Sequence, residues 1–425
     1  MPVILHHFIQ IVSVLLFCAY SYQAFYVLYS LFCRIKHRFR PPVPTAANIS
    51  MRRYALLICA RNEENVIGQL INSLKVQDYP AHLIDIFVMA DNCNDSTADA
   101  ARNSGAHVYE RFNTVLIGKG YALDELFSQI RQTYGPKYYD AYIIFDADNI
   151  VDQHFVSAMN YCFTDKYDVI TSYRNSKNFA ANWISACYSI WFLREARFLN
   201  EPRMNLGINC AISGTGFLVS SRLIEINKGW PFHLLTEDIE FSAFCAVKGY
   251  RIGYCDDAVL YDEQPVTFSQ SWTQRTRWSR GFFQVNRYYA LSLLRGCFSS
   301  KNKFSCYDML MTIAPCALLT IFTVITSFAM LFNHFSSAQF SELYMLKHTL
   351  ELCRFIFIDA YALFYICGLL TLITERQRIR AQLYQIVMYL PLFPLFMMTY
   401  IPISLYALVT HVQWKPIHHA PIQNA

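Results

Sequence analysis

From Pro2 to Cys33 the chain carries no Asp, Glu, Lys or Arg, and Arg34, Lys36, Arg38 and Arg40 follow at once. A spanning helix needs about 20 predominantly apolar residues, so this stretch predicts a membrane helix with a basic collar on its cytoplasmic side. It has no basic n-region and no small-residue cleavage site, which argues against a cleaved signal peptide. Pro41, Pro42 and Pro44 make residues 34–50 a short, stiff linker. Similar apolar stretches return late in the chain. Met309–Phe332 and Leu383–Thr410 are uncharged, and Phe355–Thr374 is apolar except for Asp359. Pro391, Pro394 and Pro402 interrupt the last stretch, which predicts either one span or two short elements. The basic segment from Glu375 to Arg380 lies between the last two stretches and is expected on the same side as the 34–40 collar.

Between these flanks the composition changes. Residues 51–304 read as one soluble domain, 1–33 as an N-terminal span and 305–425 as a membrane region with about three helices. The whole chain is 54% hydrophobic and only 16% charged, more apolar than a typical soluble protein. Its net charge of +5 is small and dispersed, which argues against a nucleic-acid partner. The fourteen cysteines form no C-x-x-C pair and no Cys/His zinc pattern, so no disulfide framework is implied.

In the central domain, apolar runs alternate with amphipathic ones. This is the pattern of an α/β fold around a largely parallel sheet. Tyr54–Ala60, Ile84–Ala90 and Ala141–Phe145 predict strands; Glu63–Val76 and Asp95–Ser104 predict helices. Ligands in such folds gather at the carboxyl ends of strands, where Arg61, Asp91 and Asp146 fall. Asp146-x-Asp148 closes an apolar strand. Two carboxylates at that spacing can share a hard divalent cation that keeps positions open for phosphates. Asp91, at the tip of the second strand, suits a nucleobase or ribose, and Asp95 suits a helix cap. Gly118-Lys119-Gly120 opens a helix without Walker spacing; Lys119 reads as a diphosphate contact or as a solvated turn lysine. Thr236-Glu237-Asp238 precedes an amphipathic run, where Asp238 reads as a helix-start carboxylate or as a general base. Within Ser269–Leu294, Gln274, Arg277 and Trp278 share one helical face. They suit phosphate contact and sugar stacking, or an interfacial helix at the lipid headgroups.

Taken together, Ala60-Arg61-Asn62-Glu63-Glu64, Asp91, Lys119, Asp146-x-Asp148, Thr236-Glu237-Asp238 and Gln274-x-x-Arg277-Trp278 resemble family 2 glycosyltransferases, above all the membrane synthases of the hyaluronan, chitin-oligosaccharide and cellulose type. The likeness runs from about Tyr54 to Trp278. It implies a GT-A type nucleotide-sugar-binding domain set between one N-terminal and about three C-terminal transmembrane helices. The implied protein is a multi-pass membrane enzyme with a cytoplasmic active site, working on a UDP-sugar with Mg²⁺ or Mn²⁺. By the same resemblance Arg61, Glu63, Asp91, Lys119 and Asp146 belong to the donor site, and Asp148, with Asp146, to the metal. Asp238 would be the base, beside Glu237. Gln274 and Arg277 would clamp the diphosphate, while Trp278, Gly214 and Thr215 would border the acceptor. The acceptor would be a growing β-linked saccharide or, in related enzymes, a lipid. A non-catalytic sugar-nucleotide sensor is the alternative from another class. Ala90-Asp91 stands where the family has an Asp pair, and Ser213-Gly214-Thr215-Gly216-Phe217 stands near the place of the cellulose synthases' Phe-Phe-Cys-Gly-Ser loop.

Overall fold

Apolar residues at every position of a strand require cover on both faces, and the first strand shows how this chain supplies it. The computed structural model describes residues 2–37, 50–299, 301–314, 342–410 and 412. In β1 (Tyr54–Ala60), Ala55 and Leu57 point to one face and pack with Leu123, Phe127 and Ile130 of the Lys119–Tyr134 helix. Tyr54, Leu56 and Ile58 point to the other and pack with the Ile67–Lys75 and Phe155–Cys162 helices. The period-2 alternation of side chains thus divides one apolar run between two cores.

The remaining strands are β2 (Ile84–Asp91), β3 (His107–Arg111), β4 (Ala141–Asp146), β5 (Ile150–Val151), β6 (Val169–Ser176), β7 (Phe217–Ser220) and β8 (Ile252–Asp262). They form one eight-stranded sheet in the order β3-β2-β1-β4-β7-β6-β8-β5. β1 to β4 are mutually parallel where they pair, with Tyr54 opposite both Ile84 and Ala141. The sheet is largely parallel, as expected, but beyond β4 it takes in two reversed strands, β7 and β5. β7 runs antiparallel to both β4 and β6, and β5 runs antiparallel to β8, while β6 and β8 are parallel. β7 is a four-residue strand, too short for its composition to carry a direction. The expected strands and helices of the first half are present with ends shifted by a few residues; the helix expected over Glu63–Val76 spans Ile67–Lys75.

Long helices flank this sheet. They are Pro2–His37, Phe268–Ser299, one over 303–314 and Glu342–Thr374. The stretch Leu383–Thr410, expected as one span or two short elements, is three helices, Leu383–Tyr389, Leu392–Met398 and Tyr400–Val409. Pro394 and Pro402 each occupy the third position of their helix, where the missing N–H has no intrahelical partner to lose. Among the described residues, Phe357–Thr374 and Leu392–Val409 are long and apolar enough to cross a membrane. The expected span Met309–Phe332 lies outside the described residues beyond position 314, and most of the 34–50 linker does as well.

Buried charge holds the helices to the domain. Arg203 reaches Asp308 through Nε (2.7 Å) and Nη2 (2.9 Å), and Tyr22 and Tyr26 of the first helix donate to the same carboxylate. Glu375 accepts from Arg197 Nε at 2.5 Å and from the Tyr173 hydroxyl at 2.6 Å, and Arg34 lies 3.4 Å away. Arg275 donates to the Phe396 carbonyl and the Thr399 hydroxyl and stacks 4.0 Å over the Phe396 ring. Removing one member of such a pair leaves the other charged and unpaired in a dry environment. We predict that Asp308→Ala lowers stability by about 3–5 kcal/mol, read as a drop in unfolding temperature in detergent. Arg203→Met combined with Asp308→Leu should recover most of that loss.

Candidate active site

The loops after β1 and β2 turn at Asn62 and Asn92, both at positive φ (58° and 53°). Asn is among the few residues with a side chain that enter this region readily. The two loops are tied together. Asn62 Oδ1 accepts from the Asn94 N–H, Glu64 from Ser96, and the Glu63 N–H donates to Thr97 Oγ1. Asp95 also serves the helix start, accepting from the Thr97 N–H at 3.1 Å. Asp91 is buried, and its Oδ1 accepts from Arg111 Nη1 at 2.6 Å and Asn92 Nδ2 at 3.0 Å. Of its carboxylate, Oδ2 is what remains for a ligand.

The centre of the site is one cation among three carboxylates. Lys119, the first residue of its helix, pairs with Asp146 at the end of β4 and donates to the Gly214 carbonyl at 2.7 Å. Burial works against its ammonium, but Asp146 and then Glu237 outweigh it, so its pKa stands above the ordinary lysine value. Glu237 and Asp238 start the Glu237–Lys248 helix. Burial pushes the Glu237 carboxyl up to about 7; Asp238 and Asp146 add to the shift and Lys119 opposes it. Burial also raises Asp238, against the Ile239 N–H and Lys119.

Gly214, at φ 81°, shows how the carboxylates face one another. A Cβ built there would stand 3.7 Å from Asp238 Oδ2 and 3.9 Å from Asp146 Oδ2. Both oxygens therefore border one small space in front of the glycine. Thr215, its neighbour, accepts from the Asp146 N–H at 2.9 Å and donates to Asn149.

Beyond Thr215 lies a second, more buried group, of which the sequence reading named Asp148 and missed Asn149, Asp262 and Arg174. Asn149 Nδ2 donates to Asp148 Oδ1 (3.1 Å) and to Asp262 Oδ1 (3.2 Å), bridging two buried carboxylates. Arg174 is the cation for this pair. It binds Asp262 through Nε at 2.8 Å and the Ser213 carbonyl through Nη1 at 2.6 Å. Burial works against the Asp262 charge, but Arg174 outweighs it and holds the carboxyl below its usual range. Arg174 lies in β6 and Asp262 ends β8. Their meeting depends on strand order, which no local pattern reveals.

Among the described residues, no group of three or more His, Cys, Asp and Glu side chains converges as a closed metal cage. The donor set instead suits a dication that takes one or two carboxylates and completes its shell with diphosphate oxygens. Asp148, oriented through Asn149, and Asp146 are the residues that would hold it.

Close packing brings the Phe268–Ser299 helix to this site. A Cβ on Gly281 would fall 2.5 Å from both Cγ2 and Oγ1 of Thr236, the residue before Glu237. Only glycine permits that approach. On this helix Trp278 meets Tyr188 and Phe192 edge-on, with centroids 5.9 and 6.2 Å apart, and Phe192 in turn lies 3.8 Å beneath Arg174. Gln274 Oε1 is buried and accepts no hydrogen bond among the described residues. The structure therefore joins Lys119, Asp146, Gly214, Thr215, Glu237 and Asp238 in one cluster and Asp148 to its edge. No hydrogen bond or ion pair links Gln274, Arg277 or Trp278 to that cluster among the described residues.

The family described as "Glycosyltransferase like family 2" matches residues 52–281. The chain is 28% identical over 273 residues to a probable glycosyltransferase, YdaM, of Bacillus subtilis, covering 60% of each protein. It is 24% identical over 253 residues to the beta-monoglucosyldiacylglycerol synthase of Synechocystis, covering 57% of this chain and 51% of the relative. It is also 24% identical over 252 residues to a poly-beta-1,6-N-acetyl-D-glucosamine synthase of Staphylococcus aureus, covering 57% and 56%. The matches thus span between about half and three-fifths of these relatives' own lengths. Among solved structures, the mannosyltransferase PcManGT from Pyrobaculum calidifontis, in complex with GDP-Man and Mn²⁺, superposes with a TM-score of 0.54 at 14% identity, covering 86% of this chain and 98% of that one. At that identity the likeness is one of fold.

The raised Glu237 carboxyl has a stability consequence. Its ordinary value is 4.5, and the folded value is about 7. Between these values the folded protein holds a proton that the unfolded chain has released, so stability falls as pH rises through that window. Glu237→Gln should remove this part of the fall. Unfolding temperatures of the two proteins should therefore diverge in favour of the variant as pH rises from 4.5 to 7, and parallel curves would show that Glu237 does not titrate there.

Proposed function

The chain belongs to glycosyltransferase family 2, and on that premise we propose that it transfers a sugar from a UDP-sugar to an acceptor hydroxyl with inversion at the anomeric carbon. The observation that carries this reading is the shared space in front of Gly214, bordered by Asp238 Oδ2 and Asp146 Oδ2, with Lys119 bound to Asp146 beside it. Asp238 takes the proton of the acceptor hydroxyl as its oxygen forms the bond to the anomeric carbon. The bond from that carbon to the diphosphate breaks on the opposite face, and UDP carries away the electron pair. Lys119 and Arg277 stand as fixed positive charge where the leaving diphosphate gains negative charge. Mg²⁺ or Mn²⁺, when bound at Asp148 and Asp146, supplies further neutralisation of that diphosphate. Glu237 keeps Lys119 charged, and Asp91 and Glu63, with Arg61, hold the uridine side of the donor. The buried Gln274 Oε1, which accepts no hydrogen bond among the described residues, is a ready acceptor for a ligand hydroxyl.

The acceptor in this reading is a growing β-linked saccharide. A lipid acceptor is the second reading, favoured by the likeness to a diacylglycerol glycosyltransferase. Trp278, Gly214 and Thr215 border the acceptor in either case. The protein is read as a multi-pass membrane enzyme with its active site on the cytoplasmic side. Arg34 and the Arg376–Arg380 segment support that orientation, because both sit at the end of their helices that meets the domain, where the positive-inside rule puts the cytoplasm.

Purified protein in lipid nanodiscs tests this reading. UDP release from UDP-glucose, UDP-N-acetylglucosamine, UDP-galactose or UDP-glucuronate is expected with one donor. Asp238→Asn should bind UDP as the wild type does and lose about 10²–10⁴-fold in turnover. Near-normal turnover by that variant would remove Asp238 from the role of base. Sizing the wild-type product separates a polymer from a singly glycosylated lipid.

A further inference from the structure

The loop between β3 and the Lys119–Tyr134 helix carries Phe112, Val115, Leu116 and Ile117, all exposed, Val115 at 84% and Phe112 at 72%. From Phe112 to Gly118 the loop contains no ionisable side chain. Four large apolar side chains within six residues, open to solvent beside an active site, form the kind of patch that marks an interaction surface.

The loop is also held in shape. Asn113 Oδ1 accepts from the N–H groups of Val115 (2.9 Å) and Leu116 (2.8 Å). Arg111 grips the Leu116 carbonyl through Nη2 at 2.7 Å while its Nη1 binds Asp91. The Asn113 N–H donates to Asn92 Oδ1 at 2.8 Å. The apolar tip is therefore presented by the same residues that shape the second strand end of the site.

Sheet topology indicates what the tip faces. β3 runs parallel to β2, β1 and β4. β7 is antiparallel to both β4 and β6, so β6 runs in the same direction as β3. At the end of β6, Asn175 donates to the Arg378 carbonyl, and Arg378 pairs with Asp256 at 2.7 Å. Arg378 lies just beyond the apolar stretch Phe357–Thr374. The carboxyl ends of the strands, where the membrane-side helices meet β6, are thus the end of the sheet from which the 112–117 loop projects.

We propose that the Phe112–Ile117 loop dips into the acyl region of the bilayer and seats the donor side of the domain on the membrane surface. Side chains of this size inserted at the headgroup boundary anchor by buried apolar area, and a loop free of charge avoids the large cost of desolvating an ion there. This proposal rests on the membrane-embedded reading above, and its test separates the two.

The photoreactive residue p-benzoylphenylalanine is placed singly at positions 115, 363 and 138 of the full chain in phosphatidylcholine/phosphatidylglycerol nanodiscs. All three side chains are exposed, so the fold should tolerate the change, and an unaltered unfolding temperature checks that it does. Leu363 lies inside the apolar stretch Phe357–Thr374, and Tyr138 precedes β4 at the opposite, amino end of the strands. The expected result is phospholipid crosslinked at 115 as strongly as at 363, with none at 138. Lipid at 363 but not at 115 would overturn the docking loop while leaving the membrane reading intact. A crosslink from 115 to a second copy of the chain would also overturn it. Absence of lipid at both 115 and 363 would overturn the membrane reading and the loop proposal with it.

Discussion

Lys119 pairs with Asp146 amid three carboxylates around the Gly214 space, and the arrangement of the site follows from that crowding of negative charge. Asp146, Glu237 and Asp238 converge from the end of β4 and the start of the Glu237–Lys248 helix. One ammonium cannot neutralise three carboxylates, so burial and mutual repulsion raise Glu237 and Asp238 together. A carboxyl raised this way is a better proton acceptor than an ordinary one. The same shortage of positive charge leaves the site complementary to a dication and to fixed cations brought by neighbouring helices.

Much of this was readable from the sequence because the residues concerned lie at strand ends and helix starts. Ala141–Asp146 is an unbroken apolar run that stops at a carboxylate, and Gly118-Lys119 is a helix opening that leaves the lysine free to reach sideways. Asp146, Lys119, Glu237 and Asp238 fall at such punctuation points, and the fold brings them together. Asp262, Arg174 and Asn149 escaped notice for the opposite reason. Arg174 is inside a strand, Asp262 closes the run 258–261 without an Asp-x-Asp spacing to mark a site, and their contact requires β6 and β8 to be parallel neighbours. Arg111 was missed likewise, since its partner Asp91 is one strand away. The direction of β7 was illegible because a strand as short as Phe217–Ser220 reads the same both ways.

The membrane-side helices enter the account through packing as well as hydropathy. Gly281 against Thr236 sets the Phe268–Ser299 helix directly behind the first turn of the Glu237–Lys248 helix. Arg275 fixes the former helix to Phe396 and Thr399, so the Thr236–Asp238 turn, the amphipathic helix and the apolar C-terminal helices form one connected stack. The Arg197–Glu375 and Arg203–Asp308 pairs continue that connection to the first helix. In the membrane-embedded reading proposed above, a domain joined this way would hold its cleft at a fixed position relative to the bilayer, which suits an acceptor that is itself bound to the membrane or delivered along it.

The central claim is a single displacement at the space in front of Gly214, and the stereochemistry of the product tests it most directly. An α-linked sugar nucleotide turned over by the wild-type protein should give a product whose new linkage is β, read from the anomeric proton coupling by nuclear magnetic resonance. An α-linked product would contradict the account, because retention requires a second displacement or a front-face route that this arrangement of Asp238, Asp146 and Lys119 does not provide.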